Sequence, residues 1–284
     1  MQPPQIWIFL VALFFSVALI SGCRKKIDAT SANALTLTNG QNMKITYTSK
    51  ADAQYMALVF TLDKIKDSDA PDRMEKFVAG AWALSKDYPN QVNGYQCIME
   101  AMDDYEFLGK PDQARALAQE MIDSSAPDNF KQWAKGFLYR LDSMGKPVEI
   151  KFTAIDGREV DLANMKGKVV LVDFWGDNNE LPQVKAAFKK FHAQGFEIIG
   201  IYNYADKDRL EEFVKTYDIS WPQYFDGKQM NEFAVKFGID GFPNMFLVDR
   251  KGCLRFDDVR AKNNVHPKGD TTSFEEKISQ LLAE

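Results

Sequence analysis

Two long apolar runs predict buried strands in the second half of the chain. The stretches "GKVVLVDFW" at 167–175 and "FEIIGIYN" at 196–203 contain few polar residues, as expected of parallel strands that are covered on both faces. Apolar residues recur at helical spacing between them, at Leu181, Val184, Phe188 and Phe191. This order predicts a parallel pair of strands joined by a crossover helix.

The surrounding pattern extends this unit to an α/β sheet with helices on both faces. "VEIKFTAIDGREVDL" predicts two short strands around Asp156-Gly157, and "MFLVD" and "CLRF" predict an antiparallel pair at the sheet edge. Three more helices are predicted: one with Leu210, Phe213, Val214 and Tyr217 inward, one from about Gln229 to Phe237, and a last one in "TTSFEEKISQLLA" with a threonine cap.

The segment 51–146 has a helical period throughout. Apolar residues are spaced by three and four, and prolines fall where helices should begin or end. We expect four or five helices. Gly94–Leu108 and Asp112–Ile122 resemble one tetratricopeptide-type hairpin, with Gly109 placed to let the two helices approach closely. This all-α segment is interpreted as a domain for packing or partner contact.

The N-terminus reads as a targeting signal followed by a tether. The apolar run 6–20 is short for a membrane span, and "LISGC" after it resembles the lipobox of bacterial lipoproteins, in which Cys23 is acylated and becomes the mature N-terminus. We expect a lipid-anchored, extracytoplasmic protein on a bacterial membrane. The alternative is an uncleaved signal anchor, because Arg24-Lys25-Lys26 follow the run and no basic residue precedes it.

Residues 24–50 are polar and suit a tether. Alternating apolar residues around Asn39-Gly40 predict a small β-hairpin with a two-residue turn. The predicted organisation is therefore a signal peptide at 1–23, a tether at 24–50, a helical domain at 51–146 and an α/β domain at 147–284.

Charge and composition exclude several classes of function. The net charge of −5 argues against a nucleic-acid partner, which would require clustered basic residues. The three cysteines, Cys23, Cys97 and Cys253, have no paired short spacing, and the two histidines, His192 and His266, stand apart. We expect no metal site and no cofactor.

The C-terminal segment resembles the TlpA/ResA-like thioredoxin family. The resemblance rests on "GKVVLVDFW", "ELP", "GFEIIGI", "WPQYFDG" and "FGIDGFPNMFLVDRKG", which occur in the family's order within 147–284. It implies a thioredoxin-like fold and an extracytoplasmic disulfide reductase. The helical segment lies outside the resemblance.

The family's reactive dithiol is missing from this sequence. In the family the strand continues as W-x-x-W-C-x-x-C-x-x-E-L-P, whereas only four residues separate Trp175 from Glu180, and no cysteine occurs between Cys97 and Cys253. Disulfide exchange requires an attacking thiolate and a resolving thiol. The family activity is therefore not expected, although Asp177, Asn178 and Asn179 can still cap the next helix, with Pro182 in its first turn.

Other positions match the family's site. The resemblance assigns Asp173 to the buried carboxylate that serves the resolving cysteine, here a structural acid, and Pro243 to the cis-proline beside the active site. In the family, the backbone before that proline pairs with an extended peptide. The resemblance therefore predicts a peptide groove lined here by Trp175, Gly176, Phe242 and Pro243. The alternative is that the cis-proline survives because the fold needs that turn.

Three functions compete at this point. The first is a membrane-anchored, redox-inactive thioredoxin-fold module that binds peptides or proteins, which we favour. The second is an active thiol-disulfide oxidoreductase that uses Cys253 or a partner's thiol. The third, a peroxidase of the peroxiredoxin type, needs a cysteine near the same helix start, and none is present.

Overall fold

The computed structural model describes residues 36–38, 44–46, 49–66, 71–176, 180–228, 230–257, 259 and 272–284. Cys23, His266 and Asp177–Asn179 lie outside these residues. Within them, no helix is both long and apolar enough to cross a membrane. The chain divides into two compact units, Met1–Ala101 and Met102–Glu284. The predicted boundary at residue 146 lies inside the second unit.

The first unit contains a β-hairpin and helices. Strands β1 (Thr36–Thr38) and β2 (Lys44–Thr46) pair antiparallel, followed by α1 (Lys50–Lys66), α2 (Pro71–Asp87) and the first part of α3 (Asn93–Phe107). Thr38 pairs with Lys44, so five residues connect the strands and the predicted two-residue turn at Asn39-Gly40 is wrong.

Small residues set the helix spacing in this unit. A Cβ on Gly80 would lie 2.6 Å from a methyl group of Leu58, and one on Gly94 would lie 2.7 Å from the carbonyl oxygen of Ala81. Glycine therefore lets α2 approach both α1 and α3 closely.

The second unit begins with the end of α3, α4 (Pro111–Asp123) and α5 (Asp128–Ser143). The helices between residues 50 and 143 match the predicted all-α segment. Gly109 lies in the turn between α3 and α4 with φ of +71°, where the Lys110 N–H bonds to the carbonyl of Tyr105. Its role is to end α3 in a left-handed conformation, as glycine commonly does after a helix.

The α/β part has the predicted element order. It comprises β3 (Lys151–Thr153), β4 (Glu159–Asp161), β5 (Val169–Trp175), α6 (Leu181–Phe191), β6 (Phe196–Tyr202), α7 (Lys207–Thr216), β7 (Gln223–Tyr224), α8 (Glu232–Phe237), β8 (Asn244–Val248), β9 (Leu254–Phe256) and α9 (Phe274–Ala283). The sheet order is β7-β6-β5-β8-β9, with β5, β6 and β7 parallel and β8 and β9 antiparallel, while β3 and β4 form a separate hairpin.

Both faces of this sheet are covered, which is why β5 is buried at every position. One face packs against the β3–β4 hairpin and α8, through residues such as Phe152 and Phe237. The other packs against α6 and α9, through residues such as Val184 and Ile278. The predicted α/β architecture with helices on both faces is confirmed.

Helix α5 packs directly on α8 within the second unit. A Cβ on Gly136 would overlap the carbonyl oxygen of Val235 and lie 2.5 Å from the amide nitrogen of Gly238. The rings of Tyr139 and Phe237 lie 5.4 Å apart beside this contact. The last helix before residue 146 is therefore part of the α/β core.

A buried arginine on α5 strengthens this packing. Arg140 is 5% exposed and donates to Asp257 at 2.5 Å and to Glu106 at 3.1 Å, with Asp103 at 3.7 Å. Burial lowers the pKa of the guanidinium, but the carboxylates of Asp257 and its neighbours raise it by more. The Arg140 guanidinium on α5 thus links the carboxylates of α3 to Asp257, which follows β9.

Three details of the predicted helices are wrong. Tyr217 follows the end of α7 and is 48% exposed, rather than inward. Helix α8 begins at Glu232, later than expected, because Asn231 accepts the Ala234 N–H as its cap. The last helix is capped by Ser273 and not by a threonine.

Candidate functional site

The predicted groove lies where β5 ends and β8 begins. Phe174 pairs with Asn244, so Trp175 and Gly176 continue from β5 at the same end of the sheet as Phe242 and Pro243. The sheet topology thus brings together residues almost seventy positions apart. Asp177–Asn179, which follow β5, lie outside the described residues.

Phe242 and Pro243 form the described surface of this site. The Phe242-Pro243 peptide bond is cis, as the resemblance implied. Gly241 is exposed, with open space around its α-carbon, and Phe242 is half-buried against the core. Within the described residues, the backbone N–H and C=O of Phe242 make no hydrogen bond. This backbone can pair with an added extended chain.

Trp175 lies beneath the site instead of lining it, which corrects the predicted groove. Its side chain is 2% exposed, and its indole N–H donates to the Gln223 amide oxygen at 2.8 Å. The Trp175 ring packs edge-on against Tyr202 at 4.9 Å. Gly200 leaves the space that the Gln223 amide occupies.

Gly176 is covered by an aromatic side chain. A Cβ at this position would overlap one carbon of the Tyr204 ring and would lie 2.8 Å from the next ring carbon. Arg209 stacks over the other part of the same ring, 5.7 Å from its centroid. Gly176 therefore allows Tyr204 to close one side of the site.

Sequence reasoning missed a buried amide pair below this site. Asn231 donates through Nδ2 to Oδ1 of Asn203 at 2.8 Å, and Asn203 donates its backbone N–H to the carbonyl of Trp175 at 2.9 Å. Both asparagines are buried. This pair holds the start of α8 against the ends of β5 and β6. The N-cap preference of Asn231 was the signal available in the sequence.

Asp173 lies on the central strand β5, two residues before Trp175. It pairs with Gly200 on one side and Met245 on the other, and its side chain is fully buried. The predicted burial of this acid is confirmed.

Cys253 lies away from this site within the second unit, and Cys97 belongs to the first unit. Cys97 and Cys253 are free, and Cys97 is buried. Burial, with a smaller contribution from Glu100, raises the pKa of Cys97 to about 12. Cys253 lies in the turn between β8 and β9, with its N–H bonded to Asp249 at 2.9 Å. It is separated from the site by the length of β8, about 14 Å at 3.4 Å per residue.

The start of α6 differs from the prediction. The N-cap is Glu180, without a side-chain capping bond, instead of an aspartate or asparagine before it. Pro182 lies in the first turn, as expected. No group of three or more His, Cys, Asp or Glu residues able to hold a metal occurs in the described part of the chain.

Part of the chain is similar to known proteins. Residues 144–257 match the model of the AhpC/TSA family. This part of the chain is similar to that family and has a thioredoxin-like fold, and we call it the redoxin domain. The redoxin domain carries the site described above.

Curated relatives of this domain are named thiol-disulfide oxidoreductase ResA. The protein of that name from Bacillus thuringiensis subsp. konkukian is 30% identical over 105 residues, which are 35% of this chain and 60% of the relative. The one from Bacillus subtilis is 26% identical over 34% of this chain and 56% of the relative. The chain thus spans about 60% of the length of its curated relatives.

Solved structures of related domains also match. A putative thiol:disulfide interchange protein DsbE from Chlorobium tepidum is 23% identical, with a TM-score of 0.42, over 50% of this chain and 98% of that chain. The thioredoxin domain of a thiol-disulfide oxidoreductase from Bacteroides vulgatus is also 23% identical, with a TM-score of 0.41, over 49% of this chain and 97% of that chain. The α/β part of this chain thus has a thioredoxin-like fold and is similar to proteins named thiol-disulfide oxidoreductase.

Proposed function

We propose that the redoxin domain binds an extended segment of another protein without exchanging thiols. The observation that carries this proposal is the backbone of Phe242, whose N–H and C=O make no hydrogen bond within the described residues. An extended chain placed beside Phe242 would satisfy both groups, as in strand addition. Phe242 packs against the core cluster that contains Phe174 and Phe246, which supports this backbone.

The chemistry of the thiols supports binding without exchange. A thiol with a pKa of about 12 is almost entirely protonated at neutral pH, so Cys97 is a poor nucleophile. Cys253 lies beyond the far end of β8 from Phe242, more than about 14 Å along the sheet, which is too far to attack a disulfide held there. The competing function, an oxidoreductase that uses Cys253 or a partner's thiol, predicts turnover that the binding function does not.

Insulin reduction separates these two functions. The full chain, with dithiothreitol as electron donor, should reduce insulin disulfides no faster than dithiothreitol alone. A Cys253→Ala variant should behave identically. Turnover that is lost in Cys253→Ala would establish the oxidoreductase and end the proposal.

Peptide binding tests the site itself. We would measure binding of a fluorescent library of capped extended decapeptides, and then repeat it with the best binder carrying N-methyl groups at alternate amides. N-methylation in the register that faces Phe242 should weaken binding about tenfold, because it removes backbone hydrogen bonds at a desolvated interface. Equal binding by both peptides would contradict strand addition.

A matched pair of variants tests whether the peptide binds beside Phe242. Gly241→Leu should abolish measurable binding, since a side chain there fits without backbone strain but projects into the open space beside Phe242. Lys135→Leu adds the same side chain on the exposed face of α5 and should bind normally. Loss of binding in both variants would point to a nonspecific surface effect.

We further propose that Cys23 anchors the protein to a bacterial membrane on its extracytoplasmic side. The support is the sequence "LISGC" after a short apolar run. Cells fed a labelled fatty acid should label the wild-type chain and not Cys23→Ala. An unlabelled wild type would instead favour the signal anchor, with Arg24-Lys25-Lys26 on the cytoplasmic side.

A further inference from the structure

Three connections meet at the end of the sheet opposite Phe242. They are residues 144–148 after α5, 165–168 before β5 and 249–253 between β8 and β9. The Gly167 N–H donates to the carbonyl of Arg250 at 2.8 Å, and the Val148 N–H donates to that of Gly252 at 3.1 Å. These bonds hold the three connections side by side. The seven residues of β5 separate them from Phe242 by about 20 Å, at ~3.3 Å per residue.

These connections carry an excess of positive charge, and we call them together the basic end. Their charged residues are five bases and one acid: Lys146, Lys166, Lys168, Asp249, Arg250 and Lys251. The described connections at the other end of the sheet, 203–209, 225–228 and 238–243, carry four acids and three bases. The two ends of the sheet therefore differ in charge.

Most cations at the basic end have no acid beside them. Arg255 bridges Asp249 and Glu284, and Lys168 pairs with Glu197 at 3.1 Å. With these partners included, the set contains six bases and three acids. Within the described residues, no ion pair is formed by Lys146, Lys166, Arg250 or Lys251. The three lysines of this last group are exposed, so the basic end presents a fixed positive surface.

An anionic lipid surface matches this arrangement. A bilayer surface is extended, so it can contact all three connections at once, and each basic residue near anionic headgroups strengthens association about fivefold. The sequence places further bases, Arg24-Lys25-Lys26, directly after Cys23, the proposed membrane anchor. Attachment to a membrane also keeps the second unit at a high effective concentration near the headgroups.

We propose that the basic end docks the second unit on the anionic lipid surface to which the chain is attached. Lys146, Lys166, Arg250 and Lys251 contact the headgroups, and the strands are directed away from the membrane. Phe242 then lies about 20 Å from the headgroups, at the end of the sheet that proteins reach from the aqueous side. The docking rests on the membrane attachment proposed above, and it adds an orientation for the second unit.

Lysine acetylation measures this contact on the full chain. The chain is reconstituted in vesicles of phosphatidylcholine alone or with about one-third phosphatidylglycerol, treated with a membrane-impermeant acetylating reagent and analysed by mass spectrometry. On the anionic vesicles Lys146, Lys166 and Lys251 should react about fivefold more slowly or less, whereas Lys131 and Lys135 on α5 should react alike on both. Salt at about 1 M, which shortens the screening length to ~3 Å, should remove the difference.

A matched pair of variants tests the charge itself. Lys166→Gln/Lys251→Gln removes two cations from the basic end and should weaken docking about 25-fold, so that Lys146 becomes as reactive as on neutral vesicles. Lys131→Gln/Lys135→Gln removes the same charge from the first half of α5 and should leave Lys146 protected.

Three results would overturn the proposal. Equal acetylation on both kinds of vesicle would show that the basic end does not dock. Protection by soluble poly-glutamate as strong as that by anionic vesicles would assign this end to an acidic protein. Protection that rises with protein concentration on neutral vesicles would assign it to a second copy of the chain.

The earlier proposals are separated from this one by their own readouts. Flotation of the chain with both kinds of vesicle reports membrane attachment, whatever the acetylation pattern. Peptide binding beside Phe242 should be unchanged in Lys166→Gln/Lys251→Gln, because the two ends of the sheet are about 20 Å apart. Attachment, peptide binding and docking can therefore fail independently.

Discussion

At the scale of single residues, Arg140 carries a positive charge into the interior of the second unit. Its partners Asp257 and Glu106 come from distant parts of the chain. A buried ion pair contributes little when compared with apolar packing, but removing one partner leaves the other charges buried and unpaired. Replacing Arg140 with an uncharged residue should therefore lower the free energy of unfolding strongly.

Arg140→Met tests this cost. The substitution keeps much of the side-chain volume and removes the charge, so we expect the free energy of unfolding to fall by about 3–5 kcal/mol. Urea denaturation measures the change. Arg115→Met is the matched control, because Arg115 pairs with Asp142 at an exposed position and should cost at most about 1 kcal/mol. Similar losses in the two variants would show that Arg140 is not acting as a buried charge.

The thiols provide a second test at this scale. With a pKa of about 12, Cys97 stays protonated at pH 8 and should react slowly with N-ethylmaleimide. In a Cys23→Ala background, mass spectrometry should find Cys253 modified well before Cys97, and both modified in urea. Rapid modification of Cys97 in the native protein would contradict its burial in α3.

At the scale of elements, the strands were predicted well, but the turn of the first hairpin was not. Uninterrupted apolar runs identified β5 and β6 because strands covered on both faces have no polar side to reveal a different period. The predicted two-residue turn was wrong. Asn39-Gly40 favours such a turn only when the residues on either side of it pair with each other, whereas Thr38 pairs with Lys44. Turn signals indicate where a chain reverses, but the strand register depends on packing.

The candidate site was predicted only in part for a similar reason. The position of Pro243 could be taken from the resemblance, but the burial of Trp175 depends on Gln223, a residue 48 positions away in sequence. Nothing in the sequence links these two side chains. The contact of α5 with α8 was missed on the same grounds, since a glycine inside a helical pattern does not identify its neighbour.

Gly136→Ala tests that contact. The added methyl group would meet the backbone of Val235 and Gly238, which cannot rotate away as a side chain could. We expect a loss of about 1–3 kcal/mol in the free energy of unfolding, as for overpacked cores. Gly241→Ala is the control, because its Cβ has open space and should change stability little. An unchanged stability in Gly136→Ala would show that α5 can move away from α8 at low cost.

At the scale of the whole molecule, the compact unit that contains the redoxin domain begins well before the thioredoxin-like sequence pattern. Helix α5 supplies Gly136, Tyr139 and Arg140 to the packing of the second unit. The functional site proposed at Phe242 belongs to this unit. Its stability should therefore depend on residues before 147.

Two fragments test this dependence. Residues 102–284 retain α5 and should unfold in one cooperative transition on heating. Residues 147–284 lack α5, which exposes the ring of Phe237 and leaves Asp257 without Arg140, and we expect a lower unfolding temperature and binding of the dye ANS. Calorimetry and dye fluorescence measure the two effects. Equal unfolding temperatures would show that α5 is dispensable.

The close approach of Gly136 to Gly238 also bears on how such chains can be recombined. Two backbones that touch through glycine leave no room for either segment to acquire a larger residue alone. A hybrid that joins the helices of one protein to the redoxin domain of another should tolerate a crossover near residue 101 better than one near residue 146. The residues between 101 and 146 would have to come from the same parent protein as the redoxin domain.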